Sequence, residues 1–243
     1  MKRREAGVTL MELLIAVSLV SLLSVAILMS MRTALNAMSR TNSKFLQSRR
    51  ILGAQRILEQ QIAGFIPVTI ECVLGPVPGG PKTPFFHGEP HQMRFVTSYS
   101  MDEAARGYAR IVEYRVIPGE EGRGVRLVVN ERLYTGGKGA GTLCVGFGPN
   151  EATGIAGPRF APVEVGPYSF VLADRLAYCR FVFRESLPAP VFERWLGNWI
   201  RPAWPAAIRV EMAPLESNNM RLQPVSLTLP MRVDREPLRL YED

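Results

Sequence analysis

The stretch Arg3-Arg4-Glu5-Ala6-Gly7-Val8-Thr9-Leu10-Met11-Glu12-Leu13-Leu14-Ile15-Ala16 decides how the rest of this chain is read. Three basic residues, Lys2, Arg3 and Arg4, come before a glycine. From Val8 to Met31 there then run 24 residues in which Glu12 is the only charged one. About 20 helical residues at ~1.5 Å rise cover a hydrocarbon core of ~30 Å, so this run is long enough to cross a bilayer. It departs from an ordinary secretory signal, whose apolar core is about 7–15 residues and closes on a small-x-small site. This one closes on Met29-Ser30-Met31-Arg32, and the first cysteine, Cys72, stands too far downstream to accept a lipid. No second run of that length follows, which excludes a polytopic membrane protein.

Glu12 is the anomaly. A carboxylate at the bilayer centre costs roughly 2.5–3.5 kcal/mol on insertion scales, and less near an end. Such a residue asks for a cationic partner. If the chain is cut after Gly7, the new α-amino group of Val8 lies one helical turn from Glu12. That amine, or the same amine of a neighbouring copy, can pair with it.

This N-terminus resembles the class III signal of type IV prepilins and pseudopilins. The shared pattern is a short basic leader, a glycine before the cut, a hydrophobic first residue and glutamate at the fifth mature position. The resemblance implies cleavage between Gly7 and Val8 by a prepilin peptidase, N-methylation of Val8, and Glu12 as the assembly charge. It also implies that Leu10, Leu13, Leu14, Val17 and Leu22 pack the helix in the inner membrane or in a filament core. The family usually has Phe where this chain has Val8. Counting Lys and Arg does not orient the helix, because five basic residues follow Met31 by position 51. The resemblance implies a cytoplasmic leader and a periplasmic bulk, in a single-pass protein of the bacterial inner membrane.

The helix is expected to run on past the membrane. Met38, Phe45 and Leu52 recur at seven; Ile51, Leu58, Ile62 and Phe65 follow at seven, four and three. Both series mark one apolar stripe, with Arg40, Lys44, Arg49 and Arg56 largely off it. No proline occurs before Pro67, and Gly64 supplies a stop, so the helix is predicted over about Val8–Gly64. The predicted organisation is a leader (1–7), an apolar helix segment (8–31), its amphipathic continuation (32–65) and a globular part (66–243). In that last part proline and glycine become frequent and the period shifts toward two. Strands are expected at Val68–Leu74, Met93–Ser100, Arg110–Ile117, Gly124–Leu133, Leu143–Phe147, Leu176–Arg184, Ala207–Met212 and Val225–Val233. Pro118–Gly124 reads as a hairpin loop and Tyr134–Pro167 as largely irregular. The fold class is α+β, a long helix on an antiparallel β-rich domain.

A second, looser resemblance covers about residues 85–233. Phe86-His87-Gly88, Met93–Thr97 and Arg110–Val116 follow the order of J-type minor pseudopilins of type II secretion. So do Val171–Leu176, Cys179–Phe183, Trp195, Trp199 and Pro205–Met212. The resemblance implies assembly at the tip of a pseudopilus, with priming of its assembly and support of protein export. The implied partners are I-type and K-type minor pseudopilins, the major pseudopilin and, at the tip, secreted substrate. A minor type IV pilin serving pilus initiation, adhesion, twitching or DNA uptake is the alternative reading. A membrane-anchored periplasmic enzyme is a more distant one.

Net charge is +7, from 29 Lys+Arg against 22 Asp+Glu, and nearly all of the basicity is arginine. No dense basic stretch interleaved with aromatics occurs, so nucleic acid is not an expected partner. No catalytic set is expected. His87 and His91 are the only histidines, and Gly88 and Pro90 between them argue against one helical metal face. Gly136–Thr142 looks superficially like a phosphate loop but lacks the Gly-Lys-Ser/Thr ending, so it reads as a flexible turn. No cofactor or metal is expected. Cys72, Cys144 and Cys179 allow at most one bridge, and equally suit three small buried side chains. Trp195, Trp199 and Trp204, with Phe192, either plug the core or form a partner site.

Overall fold

The computed structural model describes residues 9–72, 82–149, 154, 156–187, 193–215 and 224–231, with backbone alone for 40 and 43–48. A single helix, α1 (Leu10–Ala63, 54 residues), leads into an antiparallel β-rich domain. By internal contacts the chain divides into two compact units between Arg49 and Arg50, inside α1. The α+β expectation holds.

In the second unit, α1 packs through Ile51, Ala54, Leu58 and Ile62, all buried, with Phe65 against the same core. This is the second of the two predicted series. The first is not buried: Met38 and Leu52 are exposed, and the side chain of Phe45 lies outside the described residues. Leu52 is rotated by roughly 100° from Ile51, so both cannot face one sheet. The helix ends as Gly64 donates its N–H to the Gln60 carbonyl at 2.9 Å, and Phe65 then bridges to Thr97.

The strands are β1 (Thr69–Glu71), β2 (Lys82–Pro84), β3 (His87–Glu89), β4 (Gln92–Ser100), β5 (Ala105–Pro118) and β6 (Val125–Leu133), followed by β7 (Cys144–Pro149), β8 (Ala156–Phe160), β9 (Phe170–Ser186), β10 (Glu193–Leu196), β11 (Ala207–Pro214) and β12 (Val225–Pro230). The main sheet has the order β12-β11-β9-β6-β5-β4-β3, with β10 also paired to β9. One row of its antiparallel register runs Met93–Tyr114–Val129–Phe170. The predicted loop at Pro118–Gly124 is a tight connection between β5 and β6 with a 3-10 turn at Glu120–Gly122.

The sheet buries different residues on its two faces because successive side chains alternate. Met93 and Phe95, Val112 and Tyr114, Leu127 and Val129, Phe181 and Phe183, and Ile208 and Val210 join α1 in the large core. From the other face Val96 and Ile111 enter a second core with Ile70, Cys72, Phe85, Ala140, Cys144 and Phe160. Burial on both sides also takes in polar side chains, Arg94, Thr97 and Ser100 of β4 and Glu113 of β5.

A small lobe carries that second core. It comprises the pair β1–β2, the hairpin β7–β8 and the short helix α2 (Gly137–Gly141). Here the expectation of a flexible turn is corrected: α2 is packed on β1, and Ala140 and Gly141 are buried. A Cβ on Gly141 would lie 2.2 Å from the Glu71 carbonyl oxygen, so only glycine lets the two backbones approach. The irregular reading of Tyr134–Pro167 is corrected in the same way, by α2 and β8. Cys72 and Cys144 form a disulfide across 72 residues of sequence. Closing a loop of that length in the unfolded chain is worth about 4 kcal/mol on the chain-entropy scale.

Candidate functional site: the apolar helix and Glu12

The predicted site begins at Gly7 and Val8, which lie outside the described residues. The described part opens at Thr9. Its carbonyl accepts the Leu13 N–H at 3.2 Å, and its Oγ1 accepts the Glu12 N–H at 3.3 Å. Thr9 is thus the helix N-cap, and Glu12 is the third helical residue. A carboxylate in the first turn also sits favourably against the partial positive charge of a helix N-terminus. The pattern Thr9-x-x-Glu12 is a capping-box signature, a signal of the helix start that the sequence carries.

Leu10, Leu13, Leu14 and Val17 share one face of α1, within an arc of roughly 100°. By the same arithmetic Leu22 and Glu12 both lie away from that face, about 130° and about 150° from its middle. All five leucine and valine positions are exposed, Leu10 at 80%. The whole stretch Leu10–Ser39 is apolar enough to cross a membrane by length and composition, and none of it is buried within the chain. Several of its hydroxyls are satisfied within the helix. Ser18, Ser21 and Ser24 donate to the carbonyls of Ile15, Val17 and Val20 at 2.8 Å, and Thr33 donates to Met29 at 2.9 Å. Self-satisfied polar groups are what a helix in hydrocarbon requires. Between Thr9 and Met31, Glu12 is the only acidic or basic residue on this surface. The arrangement can therefore exchange lipid for apolar neighbours along its length while offering one carboxylate to a cation at its N-terminus.

The other predicted candidates resolve differently. His87 is buried, with Nε2 2.9 Å from Glu89 Oε1, while His91 is exposed across the β3–β4 turn. The segment between them is thus a strand and a tight turn, and the two rings do not converge. The bond with His87 holds the Glu89 carboxyl below the usual carboxylate range, against the opposing effect of its partial burial. No group of three His, Cys, Asp or Glu able to hold a metal occurs among the described residues.

Trp199 belongs to the core. Its indole N–H donates to the Ala203 carbonyl at 2.7 Å, and its backbone N–H donates to Gly88. Trp195 lies half-buried under the Arg209 guanidinium, 3.7 Å from the ring centroid. Trp204 packs edge-on against Phe65. Phe192 lies outside the described residues. Among the described residues the domain has at least two clefts. One is lined by Glu120, Arg123, Arg126, Asp174, Arg175 and Leu215, the other by Glu59, Gln60, Ala63, Tyr99, Ala104, Ala105 and Arg106. Neither brings a nucleophile and a base together. In the first, Arg126 is paired with Glu120, and Asp174 with Arg50.

The prokaryotic N-terminal methylation motif family matches residues 2–28, the leader from Lys2 and most of the apolar run. No curated protein matches the chain. The motif indicates a type IV pilin-like N-terminus, a class that includes the pseudopilins, and implies processing by a prepilin peptidase.

Proposed function

We propose that this type IV pilin-like chain is a non-enzymatic minor pseudopilin of a type II secretion system, J-like, that primes the pseudopilus from its tip. One observation carries the reading: a helix apolar on every side, with a single carboxylate at its N-terminal turn, attached to a β-rich domain. A simple membrane anchor has no use for that carboxylate, whereas a helix that must leave lipid for a bundle of like helices does. Stored in the inner membrane, Leu10, Leu13, Leu14, Val17 and Leu22 face lipid. On assembly they face the helices of I-type, K-type and major pseudopilins. Glu12 then takes the N-methylated amine of a neighbouring subunit's first mature residue, which neutralises two charges in one step of burial.

The order of the C-terminal half favours the J type over shorter pilin-like chains. A long strand is followed by a tryptophan-bearing segment, then by proline and an arginine-bearing strand, here β9, Trp195 to Trp199, Pro205 and β11. The Cys72–Cys144 bond supports a periplasmic domain, because structural disulfides persist in oxidising compartments. Deleting the gene tests the reading. The expected result is accumulation of type II substrates in the periplasm with twitching and DNA uptake intact. Normal secretion with lost pili would assign the chain to the minor type IV pilins instead.

A further inference from the structure

The two faces of the sheet are covered in unequal ways. On one face α1 supplies a long amphipathic stretch to the large core. On the other, the lobe covers β4–β6 with elements of three to six residues each. Two-stranded pairs and helices this short do not stand alone in water. Three of the five residues in α2 are glycine, which raises the entropy lost on ordering it. In the second core the lobe contributes Ile70, Phe85, Ala140 and Phe160 beside the two cysteines. After β8 the chain lies across the sheet, held by side-chain donors to its carbonyls. These run from Arg94 to Ala161 at 3.0 Å, from Arg115 to Val163, and from Asn130 to Glu164 at 2.6 Å. Water can replace such bonds once the segment lifts. The disulfide joins the end of β1 to the start of β7, so it clamps the two halves of the lobe to each other.

We propose that Cys72–Cys144 is a redox lock on this lobe, which docks over β4–β6 when the bond is formed and detaches as a unit when it is reduced. The sheet backed by α1 stays folded in both states. Formation takes two electrons and two protons from the Cys72 and Cys144 thiols. A protein disulfide oxidoreductase in its disulfide form accepts them and leaves as a dithiol. Both sulfurs are buried in the docked state, so the exchange takes place on the undocked lobe. The third cysteine does not interfere. Cys179 lies in the large core on the opposite face, and burial pushes its thiol up to about 12, far from the thiolate needed for attack. The device makes docking of the lobe dependent on arrival in an oxidising compartment, and it holds whichever filament the chain serves.

The test uses the full chain in detergent micelles, oxidised or treated with excess dithiol, followed by native alkylation and hydrogen exchange. After reduction two alkyl groups are expected, on Cys72 and Cys144. Exchange in 137–149 and 156–160 should be faster by about 100-fold or more, a loop-closure-sized effect. Exchange in 111–117 and 179–184 should change by less than about threefold. Alkylation of Cys179 as well, or equal acceleration everywhere, would overturn the proposal, because the domain would then open as one unit. Unchanged exchange in the lobe would overturn it too. The double variant Cys72→Ser/Cys144→Ser should reproduce the reduced pattern without reductant, and its failure to fold would also count against the lock.

Discussion

Glu12→Val is expected to leave membrane insertion intact and to reduce co-purification with partner pilins by at least tenfold. Insertion should not suffer, because valine removes the one charge that opposes transfer into hydrocarbon. Assembly should, because the neighbour's N-terminal amine would be left without a counter-charge among apolar helices. Breaking a buried ion pair by removing one partner costs about 3–5 kcal/mol, and each 1.4 kcal/mol is a factor of ten in affinity. Tenfold is therefore a conservative floor that allows for partial hydration at the helix end. The Thr9 cap uses the backbone N–H of residue 12, so that bond survives the substitution, and only the carboxylate's smaller contact with the helix N-terminus, about 0.3–1 kcal/mol, is lost with it. Glu12→Gln separates charge from shape: it keeps the size and loses the charge, and should fall with valine. Unchanged co-purification of either variant would remove the charge-pairing role.

The second large effect lies in the domain. Glu113 is fully buried and receives Arg94 Nε at 2.6 Å on one oxygen and Arg132 on the other. Arg94 is buried too, and desolvation pulls its pKa down while Glu113 pulls it back up. Glu113→Ala would strand the Arg94 cation between the sheet and the lobe. The expected loss is about 3–5 kcal/mol of unfolding free energy, read as a lowered urea midpoint of the full chain in micelles. The double variant Arg94→Met/Glu113→Leu should lose far less, since apolar side chains can fill the space that a buried ion pair occupies. A loss below about 1 kcal/mol for Glu113→Ala would mean that water reaches the site and screens the pair.

Much of this architecture was legible in residue order, for physical reasons that differ by element. The apolar run and its lone carboxylate were plain because lipid imposes one composition on every face of a helix. Ile51, Leu58 and Ile62 were found because a single sheet-facing stripe keeps helical period. The companion series through Met38 and Leu52 kept its own period equally well but lies off that face. Nothing local distinguishes a buried stripe from an exposed one. Strands β4, β5, β6, β9, β11 and β12 are long enough to show alternation or two-sided burial. Strands β2, β3, β8 and β10 are three to five residues long. β2 and β8 each contain a proline, and only pairing partners elsewhere in the chain make any of these four strands. The α2 segment was misread because its glycines serve close packing on β1, which in sequence looks the same as flexibility. The Cys72–Cys144 pair rests on contacts across 72 residues, and spacing alone could not choose it over Cys179. At the functional site the carboxylate was evident, while the cap at Thr9 needed the helix start to be placed at Leu10.

The most direct test of the account is the mass of the N-terminal peptide of the protein recovered from membranes. A mature chain beginning at Val8 and carrying one methyl group on its amine is the predicted species. An intact Met1, or a cut near residue 30, would make the apolar run a plain anchor or an ordinary signal and would contradict the account at its base.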